Sequence, residues 1–370
     1  MTAQYRVPHK IFGWSLKPGA SYIYDLPEGN VSVSYNSLGW RDSKHHKKNK
    51  ANKVRVLVLG DSFMEGYSVK LKETFHKKLE KKLLERNVNI EVINFGVGGY
   101  GTLQEYLVLR DLGMEYKPDL IILGFLVGND IRNNSLSLEN LLNNNTVKVF
   151  SRPFLDKVNR INDSLIISNV RYTKAMRKYK ASLNIKHTFV GELKRNSGII
   201  QALIKIKNMY LLDKKDRGKN ESLRKNRYLA LFGVNYCVES PLYRTAWDNT
   251  VSILKKIQQL TKRNESKLLV FSIPLVHEVV NSESKKIMRQ EPLPGILCLK
   301  NPPGYIKLKK VMESLDINYL DLLGSFRKFE GLNNGKLYYK SDRHWTSVGH
   351  ELAATRVTDF IIEKKLLLQP

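Results

Sequence analysis

Three short apolar runs, each closed by a glycine, constrain this chain more than any other feature. Val54–Leu59 (VRVLVL) stops at Gly60, Val88–Phe95 (VNIEVINF) at Gly96 and Asp119–Val127 (DLIILGFLV) at Gly128. Continuous β-branched and leucine-rich runs of this length suit strands buried on both faces, as in a parallel sheet. Between the first two, Glu73–Arg86 places Phe75, Leu79 and Leu83 at helical spacing; between the second and third, Thr102–Leu112 reads as another helix. The pattern lapses after Asp130 and resumes with a helix at Trp247–Arg263. A fourth strand follows at Lys267–Ile273, stopped by Pro274, then a fifth at Ile317–Leu322 and a closing helix at about Ser347–Lys365. Strands alternating with helices predict an α/β fold: three layers around a doubly wound, mostly parallel five-stranded sheet.

This reading divides the chain into an N-terminal extension, residues 1–52, a core formed by 53–130 and 246–370, and a basic insertion or lid, 131–245. The extension is rich in Gly, Pro, Tyr and Ser, with an extended stretch at Val31–Tyr35 that predicts turns and a β-hairpin. The insertion is polar and Asn-rich, and is expected to be helical or irregular, with candidate helices at Leu165–Tyr179 and Ile199–Leu212. It is not expected to add strands to the sheet.

Charge is the second constraint. The 370 residues carry 62 Lys and Arg against 35 Asp and Glu, a formal net charge of +27. From Lys157 to Arg227 there are 19 basic residues against five acidic ones, and from Arg41 to Arg55 seven against one. Ordinary solvated surface is the favoured reading, ahead of attraction to an anionic ligand and well ahead of nucleic acid, because no zinc-finger spacing, RNP-like aromatic motif or GxxG clamp accompanies the charge. A hydrophobic content of 42% excludes a wholly disordered chain. No apolar run reaches the roughly 18 residues of a membrane span. The N-terminus shows no apolar signal-peptide core, so a cytoplasmic location is expected, with export left open. Two cysteines, Cys237 and Cys298, are too few for a disulfide framework or a four-ligand zinc site. No cofactor or metal motif stands out, and oligomeric state is not legible.

The chemistry-bearing residues follow the strands. After the first comes Gly60-Asp61-Ser62, a tight turn carrying a hydroxyl; after the second, the glycine-rich loop Gly96-Val97-Gly98-Gly99; after the third, Gly128-Asn129-Asp130. In an open parallel sheet these ends converge at the topological switch point, where ligands bind. A nucleophile there needs a base. Of the eight histidines, His45, His46, His76 and His350 read as surface residues, and His277 as a group that approaches the cleft from outside. His344 differs, lying two residues after Asp342 and just before the last helix. If that segment is extended, both side chains project to one side, and the carboxylate can orient the imidazole. Ser62, His344 and Asp342 would then stand as nucleophile, base and orienter. Asp61 is expected to order the turn.

The ordered set GDS (60–62), Gly99, GND (128–130) and a late Asp-His pair resembles the SGNH, or GDSL-type, hydrolase superfamily, over about 54–130 and 265–362. The upstream NSLGWRD (36–42) is similar to segments that precede this domain in many bacterial members. The resemblance implies a flavodoxin-like fold, with Ser62 as nucleophile, His344 and Asp342 as the base pair, and an oxyanion hole from the N–H groups of Ser62 and Gly99 and the amide of Asn129. The Asp-x-His-Trp spacing departs from the three-residue separation usual in the superfamily and resembles the branch with alginate-type polysaccharide O-acetyltransferases.

The sequence therefore predicts a serine-dependent hydrolase of carboxylic esters, with acetyl groups on carbohydrates favoured and a small-molecule or glycan ester as partner. Two rivals remain: O-acetyl transfer to a glycan hydroxyl through the same triad, and a non-enzymatic basic protein that binds an anionic polymer.

Overall fold

The computed structural model describes residues 5–49, 52–143, 152–159, 163–168, 172–174, 176–177, 180, 221–333 and 336–367. In chain order its strands are β1 (Arg6–His9), β2 (Gly13–Leu16), β3 (Ser21–Tyr24), β4 (Val31–Ser34), β5 (Val54–Leu59), β6 (Ile90–Asn94), β7 (Leu120–Phe125), β8 (Leu155–Val158), β9 (Leu165–Ile167), β10 (Lys267–Ser272) and β11 (Asn318–Leu320). Five of them form one sheet in the order β11-β10-β7-β5-β6. Every pairing within it is parallel. Numbered by appearance, that order is 2-1-3-4-5, so the chain reverses direction between β5 and β7 and opens a crevice at their C-terminal ends.

Burial on both faces explains why these runs are uniformly apolar. Val56 to Leu59, Leu120 to Leu123 and Leu269 to Phe271 are all fully buried. The helices Phe75–Leu84 and Ser347–Glu363 pack together, as do Thr102–Asp111 and Pro241–Arg263. The two pairs form the outer layers. The 23-residue Pro241–Arg263 helix starts earlier than its apolar period indicated, because Ser240 caps it through Tyr243 N and Pro241 occupies its first turn.

The N-terminal residues form two antiparallel hairpins, β1-β2 and β3-β4. Their apolar residues, among them Phe12, Trp14, Leu16, Val33 and Tyr35, join the main core. Residues 5–42 are thus a wall of the domain. Of the two candidate helices at 165–212, the start of the first is a strand: Leu165–Ile167 pairs antiparallel with Leu155–Val158. The β-branched Ile166 and Ile167 favour that pairing. Ile199–Leu212 lies outside the described residues. Among the described residues, 131–245 contributes no strand to the sheet, while Ile131 and Leu138 are buried in the main core. Cys237 and Cys298 are joined in a disulfide, beside a β-bridge between Tyr236 and Leu297. Among the described residues no helix is long and apolar enough to cross a membrane.

Candidate active site

Ser62 opens a single helical turn, Ser62–Glu65, directly after β5. Asp61 caps that turn by accepting the Phe63 N–H at 3.0 Å, the ordering role expected of it. Gly66, at φ 64°, ends it. Two glycines let the neighbouring loop close in. A Cβ on Gly96 would lie 2.6 Å from the Glu65 nitrogen, so only glycine permits the approach. Gly99 sits at φ +80°, a conformation L side chains rarely adopt.

The structure brings Ser62, His344 and Asp342 together. His344 Nε2 lies 2.8 Å from Ser62 Oγ. Asp342 Oδ2 lies 3.2 Å from His344 Nδ1, and Asp342 Oδ1 accepts the His344 backbone N–H at 3.0 Å. The local geometry differs from the extended segment expected. Asp342 and His344 flank a tight turn in which Arg343 takes a left-handed φ of 65°. The turn is closed by Tyr339 N to His344 O and Arg343 N to Tyr339 O. It is this reversal, and not strand alternation, that folds the carboxylate back onto the ring. Trp345 anchors the loop from below, fully buried, with its ring 5.1 Å from Phe63 and 5.1 Å from Phe326. Burial pushes the Asp342 carboxyl upward, but hydrogen bonds from the His344 ring and backbone, the His344 charge and the Tyr24 hydroxyl outweigh it and hold the group below its usual range.

The oxyanion candidates sit at the ends of three adjacent strands. Among the described residues neither the Ser62 nor the Gly99 amide N–H has a hydrogen-bond partner, so both are free to donate. Asn129 accepts from Arg132 Nη2 through Oδ1 at 2.7 Å, which fixes the amide orientation. Its side chain lies close enough to buried Asp61 to favour the ionised carboxylate there. The carboxamide N–H groups can donate to a substrate oxygen. Burial lifts Asp61 to about 6. Burial and neighbouring acids lift Glu105 and Asp130 well above the usual carboxylate range.

Several residues around the site were not singled out from sequence. Tyr67 Oη lies 3.3 Å from His344 Nε2. Tyr24, on β3, donates to Asp342 Oδ2 at 3.2 Å. Glu28 accepts from the backbone N–H groups of Lys340 and Ser341 and from Ser341 Oγ. Glu65 is fully buried, accepting the Tyr35 hydroxyl at 2.6 Å and the Gly98 N–H at 2.5 Å. Buried Arg41 donates to the carbonyls of Glu65, Gly66 and Val69. Asp42 accepts the Asn94 N–H at the end of β6. The signal for these last two was the WRD triplet at 40–42, whose role is to brace the loop after the nucleophile.

Among the described residues no other histidine makes a hydrogen bond or ring contact with Ser62 or His344. His76 and His350, read as surface residues, are fully buried between packed helices. His45 bridges Asp42 and Glu91 at 3.1 Å each. His277 is buried edge-on against Phe232 at 5.3 Å. A cavity of about 1290 Å³ is lined by Glu283, Lys285, Tyr339, Lys340 and Arg343 and by neither Ser62 nor His344. Arg343, between Asp342 and His344, is among its lining residues.

Among solved structures, an acetyl xylan esterase aligns over 83% of this chain and 98% of its own, at 13% identity and a TM-score of 0.40. A GDSL-like lipase from Bacteroides thetaiotaomicron aligns over 86% and 93%, at 11% identity and a TM-score of 0.36. A psychrotrophic esterase from Pseudoalteromonas sp. aligns over 85% and 99%, at 10% identity and a TM-score of 0.38. No family model matches the sequence, and no curated protein does.

Proposed function

We propose that this protein is a serine-dependent hydrolase of carboxylic esters, with carbohydrate acetyl esters as the favoured substrates. The observation that carries the reading is the 2.8 Å contact between His344 Nε2 and Ser62 Oγ, with Asp342 on the opposite ring nitrogen. His344 takes the Ser62 proton as Oγ attacks the ester carbonyl, and Asp342 holds the ring in the required tautomer. The amides of Ser62, Gly99 and Asn129 stabilise the oxygen that becomes negative; loss of one such donor typically lowers turnover about 10²–10³-fold. His344 then protonates the departing alcohol. Water, activated by the same imidazole, releases the acyl group from Ser62.

Transfer of the acyl group to a sugar hydroxyl uses the same steps with a different acceptor. The Asp342-Arg343-His344-Trp345 spacing favours keeping that second reading. The Cys237–Cys298 disulfide supports an oxidising compartment over a reducing cytoplasm. A panel of acyl p-nitrophenyl esters, with Ser62→Ala as control, tests the reading. Turnover that survives Ser62→Ala contradicts it. Acetyl release measured with and without added glycan separates hydrolysis from transfer.

A further inference from the structure

Arg6, on β1, is a cation at the nucleophile that no step above employs. A Cβ built on Gly98 would lie 2.5 Å from Arg6 Nη2, 2.9 Å from Glu65 Oε2 and 3.5 Å from Ser62 Cβ. The guanidinium therefore reaches the glycine loop beside Ser62 and Gly99. Its side chain is only 14% exposed. Among the described residues its nearest carboxylate is Glu65 at 4.0 Å, beyond hydrogen-bond distance. Glu65 already accepts from Tyr35 and Gly98. Arg6 Nε is buried without a partner. Among the described residues, besides Glu65 the guanidinium has the Tyr5 ring 5.6 Å away, and the Tyr35 and Tyr67 side chains act on its charge.

A guanidinium presents five donors in a planar fork that matches a carboxylate. Leaving the buried Nε donor unpaired is costly. A residue serving only as the counterion of Glu65 would close to hydrogen-bond distance, as the Tyr35 hydroxyl does. We infer that Arg6 is a specificity residue that receives an anionic group, a carboxylate in the first instance, carried by the ester substrate close to its reacting carbonyl. The inference rests on the serine-ester reading for what is cleaved. The carboxylate belongs to either the acyl chain or the alcohol, since both pass beside Ser62.

The test compares p-nitrophenyl hemisuccinate with p-nitrophenyl acetate, and 2-acetoxypropionate with 2-acetoxypropanamide, in wild type, Arg6→Gln and Arg6→Lys. In one of the two pairs, Arg6→Gln should lower the charged-to-neutral ratio of kcat/KM by about 10- to 100-fold, and the affected pair identifies the side that carries the charge. Arg6→Lys should retain part of the preference, because it keeps the charge without the fork. A thermal melt checks that each variant folds. If Arg6→Gln unfolds, the lysine variant decides: a ratio identical to wild type in both pairs overturns the proposal. Unchanged ratios in a folded Arg6→Gln protein overturn it as well. So does an equal fall for charged and neutral esters, which would make Arg6 a general support of the loop. Succinate and succinamide binding to Ser62→Ala, measured by ligand-observed NMR with and without Arg6→Gln, gives a readout independent of turnover. If wild type hydrolyses none of these esters, succinate binding decides the role of Arg6 without bearing on the hydrolase reading: loss on Arg6→Gln supports the role, and no difference overturns it.

Discussion

The hydroxyl of Tyr24 donates a 3.2 Å hydrogen bond to Oδ2 of Asp342, joining an N-terminal hairpin to the carboxylate that orients His344 across 318 positions of sequence. Residues of the N-terminal extension are thus in contact with the candidate triad. Tyr24→Phe removes one of the groups that hold Asp342 below the usual carboxylate range. With that bond gone the carboxylate that orients His344 loses one of its anchors, so kcat/KM should fall across the pH profile. Turnover at its optimum should fall by about tenfold, the value of one charge-assisted hydrogen bond. An unchanged profile would mean that the hairpin contact has no bearing on the site.

Arg343 occupies a left-handed conformation between the two residues it brings together. Non-glycine residues there cost about 1–2 kcal/mol, and β-branched ones more. Arg343→Val should therefore disturb the turn and reduce turnover strongly, whereas Arg343→Gly should keep the turn and most of the activity. The Glu283 ion pair at 3.1 Å, lost in both, is half exposed and of small effect. Steady-state kinetics of the two variants separate backbone conformation from charge; equal losses in both would refute the role assigned to the turn.

Arg41 holds three backbone carbonyls in the loop after Ser62. Arg41→Met retains much of the volume but orphans those acceptors and leaves buried Glu65 with less positive charge nearby. Stability should fall by about 3 kcal/mol or more in urea unfolding, with activity falling as well. A stable, active Arg41→Met protein would show that the WRD segment does not brace the loop.

How much of this was legible in sequence follows from the range of each interaction. The strands were visible because burial on both faces leaves no polar alternation to confuse them; Val54–Leu59 is bounded as its apolar run indicated. Ser62 and His344 could be paired because each follows a strand of the same sheet. The local basis of the Asp342–His344 contact was not visible, since a left-handed arginine has no composition signal. His76 and His350 were misread because lysines flank the first and a helical period surrounds the second; the packing of helices Phe75–Leu84 and Ser347–Glu363 buries both. Tyr24, Glu28 and Arg6 act on partners far along the chain, which periodicity cannot reveal.

Asp61 gives a pH signature. Burial lifts its folded pKa from the ordinary 3.8 to about 6. A carboxyl raised on folding binds its proton more tightly in the native state, so its contribution to stability declines as pH rises from about 4 to about 6 and stays low above that. Asp61→Asn keeps a side chain able to cap Phe63 but removes this titration. Relative to wild type it should gain stability between pH 4 and pH 8, by at most about 3 kcal/mol. Parallel stability curves for the two proteins in urea would contradict the assignment.

The central claim is that Ser62 is a nucleophile activated by His344. Intact-mass analysis and peptide mapping after exposure to diethyl p-nitrophenyl phosphate test it most directly, because that reagent phosphorylates an activated serine whatever the natural ester is. One diethylphosphoryl adduct is predicted, on the peptide containing Ser62, with parallel loss of ester turnover. His344→Ala should suppress the adduct and Ser62→Ala should abolish it. An unmodified Ser62 in a protein that still hydrolyses esters, or equal labelling of wild type and His344→Ala, would contradict the account.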